Sequence, residues 1–313
     1  MAASIPLICR TATVFSPVDG SFDENAQRQF LQQFVGSRHG IYVGSAGSGE
    51  SHSLTMDELK ILYRAAVAEC KGKIPVYANP PEQHTPAKTL EHSLLAAEAG
   101  VEVVNLYGPS SWHGYKPTDD ELLAFFDEVL KDFNHPAAIA PNPVIGYTPS
   151  PAIVAKIVKQ HPQIVAINLA GLGDNYFIEL QRALTRDVAI YVPYGSSIET
   201  LTMGAAGLLG AEANIIPKTY RLYLDHVANG DFAAATEAYA DLHRVTDYTK
   251  PWHRASPRWI KMFLKAFKCP GGEGGLRRPY SLPGDAEIQR FAQGLVALDV
   301  PEINELAATA GIA

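Results

Sequence analysis

Eight short apolar runs, each followed by a helical stretch, constrain this chain more than any other feature of its sequence. They are "IPLICR" (5–10), "GIYVG" (40–44), "IPVYAN" (74–79), "VEVVNLY" (101–107), "PAAIAP" (136–141), "QIVAIN" (163–168), "DVAIYVP" (187–193) and "AAGLLG" (205–210). Polar residues hardly alternate inside these runs, which marks strands buried on both faces, as in a parallel sheet covered by helices. Helical patterns at 55–70, 88–99, 119–132, 150–160 and 175–185 separate them. In the first of these, Leu59, Leu62, Tyr63 and Ala66 recur every three or four residues, and Thr55 with Glu58 has the spacing of an N-terminal capping box. Eight strand-and-crossover units close most naturally into a (β/α)8 barrel; a doubly wound open sheet is the main alternative.

The strand signal stops after residue 214. "KTYRLYLDHVANGDFAAATEAYADLHRVTDY", "RWIKMFLKAF" and "AEIQRFAQGLVAL" read as three or more helices, with Gly230 as a helix C-cap and the glycine-rich "CPGGEGGLRRPYSLPG" as a connector. The expected organisation is a barrel over 1–214 and a C-terminal helical region, 215–313, packed on it. The 26 basic against 33 acidic residues give a net charge of -7, which offers no electrostatic footprint for nucleic acid. No apolar run approaches the roughly 20 residues needed to span a bilayer, and the N-terminus lacks the basic start and apolar centre of a signal peptide. A cytoplasmic protein with no membrane partner is expected. Cys9, Cys70 and Cys269 have neither disulfide nor zinc spacing and read as small buried hydrophobes.

In such a barrel the chemistry sits at the C-terminal ends of the strands and in the loops that follow. After strand two comes "GSAGSGESHSLT" (44–55), where Ser48, Gly49 and Glu50 stand among exposed amides and hydroxyls suited to holding a carboxylate or oxyanion. Its structural reading is an ordinary turn before a capped helix. After strand four, "GPSSWHGYKP" (108–117) contains Ser111, Trp112 and Tyr115, which either cover the mouth or pack on the rim. After strand five, "APNPVIGYTPS" (140–150) holds Asn142 and one phenol, Tyr147; strand seven ends near Tyr194, Gly195 and Ser196.

These loops, in this order, resemble the dihydrodipicolinate synthase and N-acetylneuraminate lyase superfamily, pyruvate-dependent aldolases on a (β/α)8 barrel. "ATVFSPVDGSFDENAQRQFLQQFV" looks like that family's opening segment and first helix, and "GSGESHSLTMDE" like its glycine-threonine-threonine-glycine-glutamate motif. "GKIPVYANP", "AAEAGVEVVNL" and "GAAGLLGAEANIIP" fall where the family has strands three, four and eight. The resemblance implies a lyase acting on a small 2-oxo acid, with no cofactor, in a homo-oligomer of two or four chains.

It also exposes departures. The family's lysine at the end of strand six forms a Schiff base, and a tyrosine at the end of strand five relays the proton; the matching positions here are Asn168 and Pro141. An iminium accepts electrons far better than a ketone, and asparagine cannot form one; it can only donate or accept hydrogen bonds. Gly47 falls at the first threonine of the hydroxyl motif and Ser48 near the second. No arginine occurs between Arg64 and Arg182, where the synthases hold their second substrate, so dihydrodipicolinate synthase activity itself is not expected. The tyrosine that a neighbouring synthase subunit inserts falls near Ser111 or Trp112, with Tyr115 close by. Among the lysines, only Lys116 lies in a loop at the catalytic end.

Three readings follow. In the first, a divergent lyase uses Asn168, Ser48 and Tyr147 or Tyr115 to stabilise an oxyanion, with Asn142, Ser111, Gly195 and Ser196 lining the substrate site. In the second, a paralogue has lost catalysis and keeps the pocket for ligand binding or assembly. In the third, His52, His84 and His113, which follow strands two, three and four, hold a divalent metal.

Overall fold

The computed structural model describes residues 4–255 and 257–312, leaving aside the side chains of residues 196 and 253–255. Each of the eight apolar runs forms a strand: β1 (Leu7–Arg10), β2 (Gly40–Val43), β3 (Val76–Ala78), β4 (Val103–Leu106), β5 (Ala137–Ile139), β6 (Ile164–Asn168), β7 (Ala189–Val192) and β8 (Gly207–Gly210). They close in chain order into one barrel, and β1 pairs in parallel with both β2 and β8. The open-sheet alternative is thereby excluded.

The crossover helices are α1 (Glu24–Ser37), α2 (Met56–Cys70), α3 (Pro86–Glu98), α4 (Asp119–Leu130), α5 (Pro151–Gln160), α6 (Asp174–Ala183), α7 (Ser197–Thr202) and α8 (Pro217–Ala228). Their starts are fixed locally. Thr55 and Glu58 form the expected capping box, Thr118 and Glu121 form another, and Ser150 caps α5 ahead of a proline at its first position. The chain continues through α9 (Phe232–Thr249), α10 (Arg258–Ala266), α11 (Asp285–Val296) and α12 (Pro301–Ala310). α8 packs on both α1 and α9, so it serves the ring of helices as well as the C-terminal part. Among the described residues no helix is long and apolar enough to cross a membrane.

Two apolar cores result. The larger lies between the barrel and its helices, and the smaller fills the barrel with Ile8, Tyr42, Val103, Ala138, Ala166, Tyr191 and Leu209. This inner set decides where the site can be. Side chains on a strand alternate faces, so the residue two positions after an inward one also points inward, one layer nearer the C-terminal mouth. Ile8 is thus followed by Arg10, Tyr77 by Asn79, Val103 by Asn105 and then Tyr107, and Ala166 by Asn168. The barrel is apolar below and changes to amides, phenols and one guanidinium at its mouth.

The C-terminal region holds the loops after β1 and β2 from outside. Lys261 on α10 is fully buried; its ammonium donates to the carbonyls of Thr13 and, at 2.9 Å, Gly275, and lies 3.2 Å from Glu50 and 4.6 Å from the centre of the Phe15 ring. Arg277 donates to both carboxylate oxygens of Glu58 and to the carbonyls of Gly20 and Ser53. A Cβ on Gly274 would sit 1.5 Å from the Phe15 carbonyl oxygen, so only glycine permits this approach.

Candidate active site

A chain of hydrogen bonds crosses the barrel mouth. The Asn168 amide nitrogen donates to the Tyr42 hydroxyl at 2.8 Å and to the Asn105 side-chain oxygen at 3.0 Å. Asn105 in turn donates to Asn79 at 3.1 Å, and Asn79 makes a long contact of 3.5 Å to the Tyr107 hydroxyl. β2, β6, β4 and β3 therefore meet through amides whose donors and acceptors are matched at depth; Asn79, Asn105 and Asn168 are each at most 3% exposed. Burial pushes the Tyr42 and Tyr107 phenols above their ordinary range, so both remain protonated at neutral pH. Each oxygen accepts from an amide and keeps its own O–H for a further acceptor.

Above this layer opens a cavity of about 410 Å³, within the size range of small-molecule sites. Arg10, Asn79, Tyr107 and Asn142 line its polar side, Ser45 and Gly47 supply the β2 loop, and His52, Glu82 and Trp112 stand around the opening. Among the described residues that line this cavity, Arg10 is the one arginine or lysine. Its Nε is buried with no hydrogen-bond partner among the described residues, and no carboxylate pairs with it there. Burial holds the Glu82 carboxyl above the usual carboxylate range, an effect that His52 opposes.

The residues singled out in the sequence divide. Asn168 and Asn142 belong to the mouth, although both hydrogens of the Asn168 amide are committed within the protein. From the β2 loop, Ser45, Ala46 and Gly47 reach the cavity, whereas Ser48, Gly49 and Glu50 do not line it. Ser48 is 4% exposed; Gly49 packs so tightly on Ser45 that a Cβ would lie 2.8 Å from the Ser45 nitrogen; and Glu50 turns outward to Lys261. Tyr147 points between the loop after β4 and α4, its hydroxyl buried beside Gly108 without a partner among the described residues. Tyr115 is 74% exposed and, with Lys116 and His84, lines a separate outer groove. Ser111 ties the two neighbouring loops together through its N–H to the Ile145 carbonyl at 2.8 Å. The Gly195 carbonyl accepts from Tyr239 at 2.7 Å, and the Ser196 side chain lies outside the described residues.

At β5, Ala138 faces the barrel, so strand parity brings Ala140 inward, ahead of Pro141; neither carries a phenol. His52 lines the cavity while His84 bonds the Ser110 carbonyl at 2.9 Å in the outer groove, and no group of three or more metal-ligating side chains is gathered among the described residues. Among the described residues no lysine lines the cavity. Arg10, Asn79, Asn105, Tyr107 and Glu82 were not singled out in the sequence. The parity of β1, β3 and β4 is the signal that marks the first four.

Comparison with known proteins agrees with this architecture. The chain is 31% identical over 310 residues to the 4-hydroxy-tetrahydrodipicolinate synthase of Xanthomonas campestris pv. campestris, covering 96% of this chain and 98% of that protein. The corresponding synthase of Thermus thermophilus is 27% identical over 227 residues, covering 71% and 74%. Among solved structures, dihydrodipicolinate synthase from Aquifex aeolicus superposes with a TM-score of 0.83 at 20% identity, covering 96% and 99%. YagE from E. coli K12, solved in complex with pyruvate, does so with 0.82 at 19%, covering 94% and 98%. A model of the dihydrodipicolinate synthetase family matches residues 7–293, from the first barrel strand into α11, and the chain belongs to that family.

Proposed function

We propose that this protein is a lyase-type enzyme that binds a small 2-oxo or related carboxylic acid on Arg10 and works without a lysine adduct. Arg10 carries the reading. A guanidinium facing a cavity without an internal counterion is suited to a ligand carboxylate, which it can hold through two parallel hydrogen bonds. Pyruvate bound to YagE is the same class of ligand.

With Asn168 at the end of β6, the electrons of a carbon–carbon or carbon–oxygen bond made or broken beside the carbonyl must rest on its oxygen. Tyr107, held by Asn79, and Arg10 supply the donor and the positive charge for that oxyanion. Asn168 acts through Tyr42 and Asn105, as a positioning residue. On this reading the reaction is not that of dihydrodipicolinate synthase, which the lack of an arginine between Arg64 and Arg182 supports. It includes a cytoplasmic homo-oligomer of two or four chains; Trp112 and Tyr115, exposed on the rim, are apolar surface that assembly would cover.

A second reading, a binding protein without catalysis, is favoured by one observation: β5 brings no phenol to the mouth where the family's proton relay would stand. Two measurements test the proposal together. Borohydride reduction with pyruvate and other 2-oxo acids is expected to leave the intact mass unchanged, whereas calorimetry detects binding that Arg10→Met abolishes. A reduced adduct on any lysine would refute the non-covalent mechanism.

A further inference from the structure

The segment after β3 brings Asn79 into the amide chain and then, beyond Pro80 and Pro81, turns Glu82 into the same cavity as Arg10, His52 and Tyr107. Two consecutive prolines fix this path, since each locks its own backbone torsion and restricts the residue before it. Glu82 is the only carboxylate among the lining residues, is half-buried, and makes no ion pair among the described residues. The charged and titratable groups around it are Arg10, His52 and Tyr107.

We infer that Glu82 is the catalytic acid–base of this site, removing and returning a proton on the carbon beside the substrate carbonyl; this rests on Arg10 being the carboxylate anchor. A Glu82 oxygen takes the proton. The C–H electron pair becomes the second bond of a C=C, and the carbonyl π pair moves to oxygen, giving an enolate that accepts a hydrogen bond from the Tyr107 O–H. Return of the proton to carbon re-forms the C=O and the C–H bond of the substrate and leaves Glu82 as the carboxylate again, so the step needs no co-reactant. Burial raises the affinity of the carboxylate for a proton, the direction that favours its taking one from carbon. The sequence of events replaces both family groups: the oxyanion takes the place of the iminium, and Glu82 approaches from β3 where β5 offers no phenol.

The step has a direct readout. While protonated, Glu82 trades its hydrogen with water, so a bound 2-oxo acid in D₂O gains deuterium beside its carbonyl. The wild-type protein, Glu82→Gln, Glu82→Asp and Arg10→Met are each incubated with pyruvate or 2-oxobutyrate in D₂O. Exchange is followed by proton NMR, and binding is measured separately by calorimetry. Wild type is expected to exchange, Glu82→Gln to bind the acids with similar affinity but exchange about 100-fold or more slowly, and Glu82→Asp to keep part of the rate. Binding by wild type without exchange, or exchange by Glu82→Gln at the wild-type rate, overturns the assignment of Glu82 while leaving Arg10 as the anchor. Failure of wild type to bind either acid overturns the anchor, and this inference with it.

Discussion

Asn168 donates to the Tyr42 hydroxyl at 2.8 Å, joining the end of β6 to β2 across the barrel, and its second amide hydrogen goes to Asn105. The position at which the family resemblance implies a reactive amine is thus occupied by a group whose donors both face inward to the protein. Asn168→Ala would leave the Tyr42 hydroxyl and the Asn105 oxygen without their donor at a place 3% exposed. Loss of a buried donor of this kind costs about 1–3 kcal/mol, so urea unfolding should show a lower midpoint. Asn168→Asp should cost more, because a carboxylate facing the Asn105 oxygen offers an acceptor where a donor is required. An unchanged midpoint in Asn168→Ala would mean that the amide chain contributes nothing to the barrel.

The clasp between Arg277 and Glu58 gives the protein an acid sensitivity of calculable sign. Hydrogen bonds from Arg277 lead the effects that hold the Glu58 carboxyl down to about 2, against an ordinary 4.5. A depressed folded-state value means that the stabilisation is present in full above pH 4.5 and is lost as pH falls towards 2. The pair is largely shielded, with side-chain exposures of 19% and 18%, and its removal is worth on the order of 1–3 kcal/mol. Arg277→Met should lower the melting temperature at neutral pH. It should also flatten the fall of melting temperature between pH 4.5 and 2. A variant whose melting curve keeps the wild-type acid slope would show that Glu58 is not the group responsible.

His39 acts in a higher window. It is completely buried beside α8, its Nε2 lies 2.7 Å from the Pro217 carbonyl, and burial brings its pKa down to about 4 from 6.5. The folded protein keeps the imidazole neutral, whereas the unfolded chain takes up a proton below 6.5. Stability should therefore decline as pH falls from 6.5 to 4 and stop responding to this group below that. His39→Gln, which can still donate to the Pro217 carbonyl, should remove that part of the slope in chemical unfolding at a series of pH values. An identical slope in the variant would assign the effect to other groups.

The barrel was legible because strands buried on both faces must be apolar throughout, and all eight such runs became strands. The mouth was legible only in part. Asn168 was visible because it ends a run, but where its hydrogens go depends on Tyr42, 126 positions away in the chain. Arg10 ends "IPLICR" with no motif around it, and only the inward Ile8 two residues before it marks its side chain as facing the barrel. Glu82 belongs to no motif, and only the direction of the loop after β3 brings it to the cavity. Glu50 lay inside a recognisable motif, yet its partner comes from α10, a connection that no local pattern announces.

That partner, Lys261, is the last case. The loop lysine at the catalytic end, Lys116, is exposed in an outer groove, whereas Lys261 is buried, and burial lowers its pKa although Glu50 opposes the shift. Removing one member of a buried ion pair leaves the other charged and uncompensated, which costs about 3–5 kcal/mol, while replacing both is often close to neutral. Lys261→Met should therefore unfold at markedly lower urea than wild type. Lys261→Met combined with Glu50→Gln should recover much of the loss, because the remaining side chain is neutral and can still accept from the Arg277 N–H that now reaches Glu50 at 3.3 Å. Both variants should bind 2-oxo acids as wild type does wherever they are folded, since neither position lines the cavity. A double variant no more stable than Lys261→Met would show that the lysine holds the Thr13 and Gly275 carbonyls more than it balances Glu50.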